Sequence, residues 1–256
     1  MVETMDLVRR LSQSIRPALA FLAARFDRGG ALGLSLTVAV AVIVATGWAF
    51  GEVAENVIER DDLAARDGTV TGWLVAQRND ALTDAMQVLT NLGAFFVVVP
   101  LAVIVAMAVP AGWGRRRTVL LVLVLTAGTS LIVYAIKLLI GRPRPTLEEV
   151  LATATGYAFP SGHSAQAVVA YATLAYLLTR RWRRRSVAVV AWTTAAALAL
   201  VVGFSRMYLG VHWLTDVIGG YLLAAVWMVT VLTVVHTIAT LRRPGETRRR
   251  SAPAAR

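Results

Sequence analysis

The chain has 256 residues, 57% of them hydrophobic, with a mean hydropathy of +0.64 and apolar runs too long for a soluble core. Its formal charge of +11 comes from arginines in short blocks between those runs rather than along one face, which argues against a nucleic-acid partner and for membrane orientation. The absence of cysteine excludes disulfides, thiolate nucleophiles and cysteine-ligated zinc.

In chain order, residues 1–28 form a basic segment in which Leu7, Leu11, Ile15, Leu19 and Leu22 recur at helical spacing. This predicts a cytoplasmic amphipathic segment on the inner leaflet, although a frayed basic terminus fits the same residues. Apolar stretches follow at roughly 29–51, 92–110, 118–139, 162–179, 187–204 and 214–238, each about the 17–25 residues that cross a hydrocarbon layer. The first is too long for a signal-peptide core and reads as a retained anchor. The fold class expected is therefore all-α: a polytopic membrane bundle with six transmembrane helices in one domain, 29–241, followed by a basic, disordered cytoplasmic tail, 242–256. No internal repeat is visible.

The amino-terminal segment, "GWGRRR" (112–117), "RRWRRR" (180–185) and the tail hold 19 of the 26 cationic residues, which places all four in the cytoplasm. The segment from Glu52 to Asp84 carries eight acidic residues against three arginines and falls on the outer face. Within it, "VTGWLVAQRND" predicts a short surface helix, and Asp80 is expected to cap the second crossing.

With six crossings, the connections from three to four and from five to six share one face, the outer one by this orientation. Lys137, Arg142, Arg144 and "PSGH" (160–163) then meet "SRMYLGVHWLTD" (205–216). Lys137 is the only lysine and lies within an apolar run; taken alone it reads as a lysine reaching from a helix end to the interface, but the arginines beyond it favour a charge that faces a cavity or partner. Ser161 can cap the fourth helix, leaving the amides of Gly162 and His163 pointing outward as an anion site. His212 and Asp216, four apart at a helix start, share one face about 6 Å apart along the axis, so the carboxylate can fix the imidazole tautomer. A satisfied structural pair is the alternative. Arg206 adds a further guanidinium, while His236 in the last crossing reads as structural. Guanidinium, ammonium, backbone amides, two histidines and one carboxylate suit a phosphoryl group. The residue pattern offers no metal cage, so neither metal nor cofactor is expected.

Lys137, six residues, then Arg144-Pro145; Pro160-Ser161-Gly162-His163; and Ser205-Arg206, five residues, His212, three residues, Asp216: this order and spacing resembles the three-part signature of the type 2 phosphatidic acid phosphatases, within the lipid phosphate phosphatase and vanadium haloperoxidase superfamily. The resemblance covers roughly residues 90 to 235 and departs at no signature position. It implies attack by His212 on phosphorus, support of His212 by Asp216, protonation of the leaving oxygen by His163, and binding of phosphate oxygens by Lys137, Arg144, Arg206 and the Ser161/Gly162 region. The register selects Arg144 over Arg142, which is expected to face lipid head groups or Glu148 and Glu149.

The implied partner is a lipid phosphate whose tails stay among the membrane lipids: phosphatidate, phosphatidylglycerol phosphate or undecaprenyl diphosphate, hydrolysed at the outer face of the cytoplasmic membrane. A haloperoxidase-like enzyme and a non-catalytic lipid-phosphate binder or transporter are the rival readings, the first disfavoured by six crossings and the second by the intact histidines and Asp216.

Overall fold

The structure, a computed structural model, describes residues 31–109, 114–146 and 150–241. The amphipathic segment, the basic tail and the pair Glu148/Glu149 lie outside the described residues. Those described are helical, with no strand among them. The order is α1 (Ala31–Glu59), α2 (Asp62–Ala65), α3 (Asp67–Ala76), α4 (Asp80–Leu89), a 3-10 turn (Thr90–Gly93), α5 (Phe95–Ala108), α6 (Arg115–Ile140), α7 (Gly162–Arg181), α8 (Arg185–Tyr208) and α9 (Leu214–Leu241). The chain divides into a unit of residues 45–228, which carries every site residue, and a smaller one of 1–44 and 229–256 that includes His236.

Among the described residues four helices are long and apolar enough to cross a membrane: Ser35–Glu59, Arg115–Ile140, Arg185–Tyr208 and Leu214–Thr240. A fifth arises if Asp80–Gly93 and Phe95–Ala108, bent by 54°, form one span. The chain is thus an all-α, multi-pass membrane bundle, with four or five spans by length and composition against the six expected. The difference lies in α7, which is long enough at 20 residues but carries His163, Ser164, Gln166, Tyr171 and Thr173. Those groups lower its hydropathy because α7 packs among helices rather than against lipid: ten of its residues are buried. Small residues permit that approach, since Ala167, Ala170 and Ala175 meet Ala195 and Ala199 of α8 and Val98 of α5. Apolar side chains such as Leu139, Val190 and Leu200 stay exposed on the other faces of α6 and α8.

The acidic segment carries three short helices, α2 to α4, of which α3 covers most of the expected "VTGWLVAQRND" helix. Asn79, not Asp80, caps α4: its extended backbone lets the side chain accept from Leu82 N at 3.0 Å, while Asp80 takes the first helical position, where a carboxylate still suits the helix dipole. Arg78 donates through Nε and Nη2 to the carbonyl of Tyr208, and the Tyr208 hydroxyl meets Asn79 N and Thr83 Oγ1, fastening this segment to the end of α8.

Two local stops position the site. Gly141 ends α6 in the left-handed region at φ 63°, its N–H donating to Lys137 O at 3.0 Å, and releases Arg142 to Arg144 as extended chain. After the cis Phe159–Pro160 bond, Ser161 caps α7, its hydroxyl accepting from Ser164 Oγ at 2.8 Å and more loosely from Ser164 N at 3.4 Å.

Candidate active site

The site grows from the start of α9. Trp213 takes the position before the helix, and Asp216, three residues on, reaches back to accept from Trp213 N at 2.9 Å. The same oxygen, Oδ2, lies 3.2 Å from His212 Nδ1. On the far edge of the ring, Arg144 Nη1 lies 3.3 Å from Nε2. A guanidinium only donates, so Nε2 must accept and the ring proton sits on Nδ1, donating to the carboxylate. The nitrogen facing the cations is therefore the one with the free lone pair. His212 is 2% exposed, and burial pushes its imidazole down to about 4, against the hydrogen bond and charge of Asp216, so it is uncharged at neutral pH.

Arg144 is held by four carbonyls: Nε donates to Gly156 O at 2.9 Å, Nη1 to Val211 O at 2.7 Å, and Nη2 to Thr155 O and Tyr157 O. Burial pushes its guanidinium below the ordinary value, though such a group stays charged at neutral pH. Lys137 Nζ donates to the carbonyls of Tyr157 and Ala158, so both cations meet at Tyr157 O. Lys137, Gly162 and His163 line an open cavity of about 250 Å³, together with Ser130, Val133, Tyr134, Gln166 and Phe95.

Arg206 is buried near the end of α8, with Nη1 donating to Thr90 Oγ1 at 2.9 Å and Nε without a partner among the described residues. Its carbonyl accepts from the N–H groups of Val211 and His212, fixing the loop that presents the imidazole. The "PSGH" turn is seated on α9: Ser161 N donates to Asp216 O at 2.9 Å, and a Cβ on Gly220 would come within 2.6 Å of Ser161 O. Only glycine permits that approach. The expected residues thus form one chain of contacts: His163 and Gly162 share a cavity with Lys137, Lys137 meets Arg144 at a carbonyl, Arg144 meets His212, and His212 meets Asp216.

Arg142 corrects the sequence expectation. It does not turn to lipid head groups: Nη2 lies 2.6 Å from Asp67 Oδ2 and Nη1 2.6 Å from Asp216 Oδ1, with the guanidinium 5.6 Å from the Trp213 ring centre. Two buried carboxylates outbid the solvated surface for this cation, because each would otherwise lie uncompensated. Asp67, Thr90 and Thr215 were not singled out by sequence reasoning. Among the described residues no cluster of three or more histidines or carboxylates could hold a metal ion.

Residues 118–239 match the PAP2 superfamily. Phosphatidylglycerophosphatase B of Bacillus subtilis is 33% identical over 172 residues, 64% of this chain and 80% of that protein. The chain belongs to the PAP2 superfamily. A crystal structure of a transmembrane PAP2-type phosphatidylglycerolphosphate phosphatase from Bacillus subtilis superposes with a TM-score of 0.69 at 29% identity, covering 77% of this chain and 96% of that one. An undecaprenyl-diphosphatase of Sulfolobus acidocaldarius is 38% identical over 72 residues, 28% of this chain and 30% of that protein. Relatives of these kinds support hydrolysis of lipid phosphates as the general activity of this PAP2 chain.

Proposed function

We propose that this PAP2 protein is a metal-independent lipid phosphate phosphatase acting through a phosphohistidine. One observation carries the reading: His212 offers its unprotonated Nε2 beside the Arg144 guanidinium while Nδ1 is held by Asp216. Nε2 attacks phosphorus, the bond from phosphorus to the leaving oxygen breaks, and His163 supplies the proton that oxygen takes up. Water then attacks the phosphohistidine and gives its proton to His163, releasing inorganic phosphate and restoring His212. Lys137, Arg144, Arg206 and the amides at the Ser161/Gly162 turn hold the phosphate oxygens. Charge supports this: Asp216 and Asp67 are already engaged with Arg142, leaving three cations for the anion.

Phosphatidylglycerol phosphate is the first substrate to test, because a relative matched over 172 residues and a solved structure of the same fold both carry that activity in their names. An isoprenoid diphosphate is the second, favoured by the shorter match to an undecaprenyl-diphosphatase. The assay is release of inorganic phosphate from a panel of lipid phosphates in detergent micelles, with His212→Ala as control. Absence of phosphate from every substrate would leave a binder or transporter.

We also take α7 as a crossing, the fourth of six, and the outer membrane face as the location of the site, with both termini cytoplasmic. The arginines from Arg180 to Arg185, between α7 and α8, motivate this orientation. A cysteine at Gly68 should react with an impermeant reagent in intact cells, and one at Ser186 only after the membrane is opened. The reverse pattern would overturn it.

A further inference from the structure

Midway along the acidic segment from Glu52 to Asp84 lies a carboxylate with no place in the reaction above. Asp67 opens α3 and is 2% exposed, yet both its oxygens are engaged by residues from the far end of the chain. Oδ1 accepts from Thr215 N at 3.0 Å; Oδ2 accepts from Thr215 Oγ1 at 2.5 Å and from Arg142 Nη2 at 2.6 Å. Thr215 is the second residue of α9, so Asp67 caps that helix from 148 residues away.

Arg142 completes a closed set. Its Nη1 donates to Thr215 Oγ1 and to Asp216 Oδ1, both at 2.6 Å. Asp216 is fully buried, and its two oxygens are divided: Oδ1 faces Arg142, and Oδ2 faces Trp213 N and His212 Nδ1. One carboxylate would neutralise one guanidinium. With two, the group carries a net negative charge behind the imidazole, and Arg142 is shared rather than drawn wholly onto Asp216.

We infer that Asp67 is a positioning residue for the nucleophile: by holding Arg142 and Thr215 it fixes the rotamer of Asp216 and preserves its strength as acceptor for His212 Nδ1–H. The step that benefits is phosphorus transfer to Nε2, when the ring becomes cationic and the buried carboxylate must stabilise that charge. The acidic outer segment is thereby part of the active site's support, although it touches no substrate. This rests on the phosphatase reading.

The test compares Asp67→Asn with wild type, and then the same change in an Asp216→Asn background, by phosphate release from one lipid phosphate. All proteins are full-length, in one detergent, with thermal unfolding measured alongside. Asp67→Asn should lower kcat by about tenfold or more with KM within about twofold, and should change kcat by less than about threefold when Asp216 is already asparagine, because its effect passes through that carboxylate. A cap that only stabilises the fold would lower the unfolding temperature and leave kcat and this non-additivity unmoved. If Asp67→Asn does not fold, Thr215→Val is read in the same pair of backgrounds, with the same loss of kcat expected only where Asp216 is intact. A near-wild-type kcat, or an equal loss in both backgrounds, overturns the inference. Wild-type protein that releases no phosphate would instead defeat the phosphatase reading itself.

Discussion

Arg144 Nη1 lies 3.3 Å from His212 Nε2, the nitrogen that Asp216 leaves unprotonated. A cation beside a lone pair is a poor arrangement for storing charge, and in the proposed reaction the guanidinium would hold the phosphate oxygens while the imidazole meets phosphorus. Two side chains 68 residues apart in the sequence therefore meet at one point in space.

His212→Ala should abolish phosphate release. Asp216→Asn should leave the protein folded but slow turnover by about three to four orders of magnitude, as when a triad carboxylate is removed. Rapid quench under neutral or basic conditions, followed by detection of phosphohistidine, checks the covalent route. Turnover near normal in the His212 variant would rule that route out.

The two arginines of "RPRP" should fail differently. Arg144→Ala should lose at least about a hundredfold in kcat/KM, equivalent to about 2.7 kcal/mol of transition-state stabilisation, with Arg144→Lys also impaired because an ammonium cannot replace a planar fork. Arg142→Ala strands two buried carboxylates side by side and should cost about 3–5 kcal/mol of stability. Thermal unfolding and kinetics on both variants separate the cases, and an Arg142 variant as stable as wild type would contradict its ion pairs.

The buried imidazole has a pH signature. His212 in the folded protein titrates at about 4, below the ordinary 6.5, so the folded state disfavours the proton that the unfolded chain accepts. Its contribution to stability is complete above 6.5 and is lost as pH falls through the window down to about 4. Unfolding temperatures of wild type and His212→Asn, measured across that window, should converge toward acid pH. Parallel curves would show that His212 does not carry this shift.

Gly220→Ala should displace the "PSGH" turn, since the added Cβ would come within 2.6 Å of the Ser161 carbonyl, which is backbone and yields little. A cost of about 1–3 kcal/mol and a matching loss of activity are expected. Gly47→Ala, whose added carbon meets nothing within 4 Å, is the control and should be neutral or slightly stabilising.

Long apolar periodicity made α1, α6, α8 and α9 legible in the sequence, and the spacing of Lys137, Arg144, His163, His212 and Asp216 made one cluster legible. What stayed hidden has long-range causes. Asp67 looked like one more acid in a solvated segment, because its partners lie 75 and 148 residues away. Arg142 was misassigned for the same reason: local backbone alternation says that two arginines differ in reach, not which carboxylates wait for each. The second expected crossing, 92–110, takes in little more than the second arm of the bent pair Asp80–Gly93 and Phe95–Ala108, because the polar residues of the first arm keep it out of an apolar run. Nor did the apolar content of α7 reveal that its polar residues face protein.

That composition bears on how the chain is built. Newly made helices partition into lipid by their own hydropathy, and α7, unlike α6 and α8, is not apolar enough by composition to count among the membrane-crossing helices. Gln166 finds its partners on α6, donating to Thr126 O at 2.8 Å and to Ser130 Oγ at 2.7 Å. Leaving those amide hydrogens to hydrocarbon would be costly, and α6 emerges from the ribosome first. The helix that carries His163 thus depends on α6 to satisfy the amide of Gln166, so the partner that compensates its polar face is also the helix that carries Lys137.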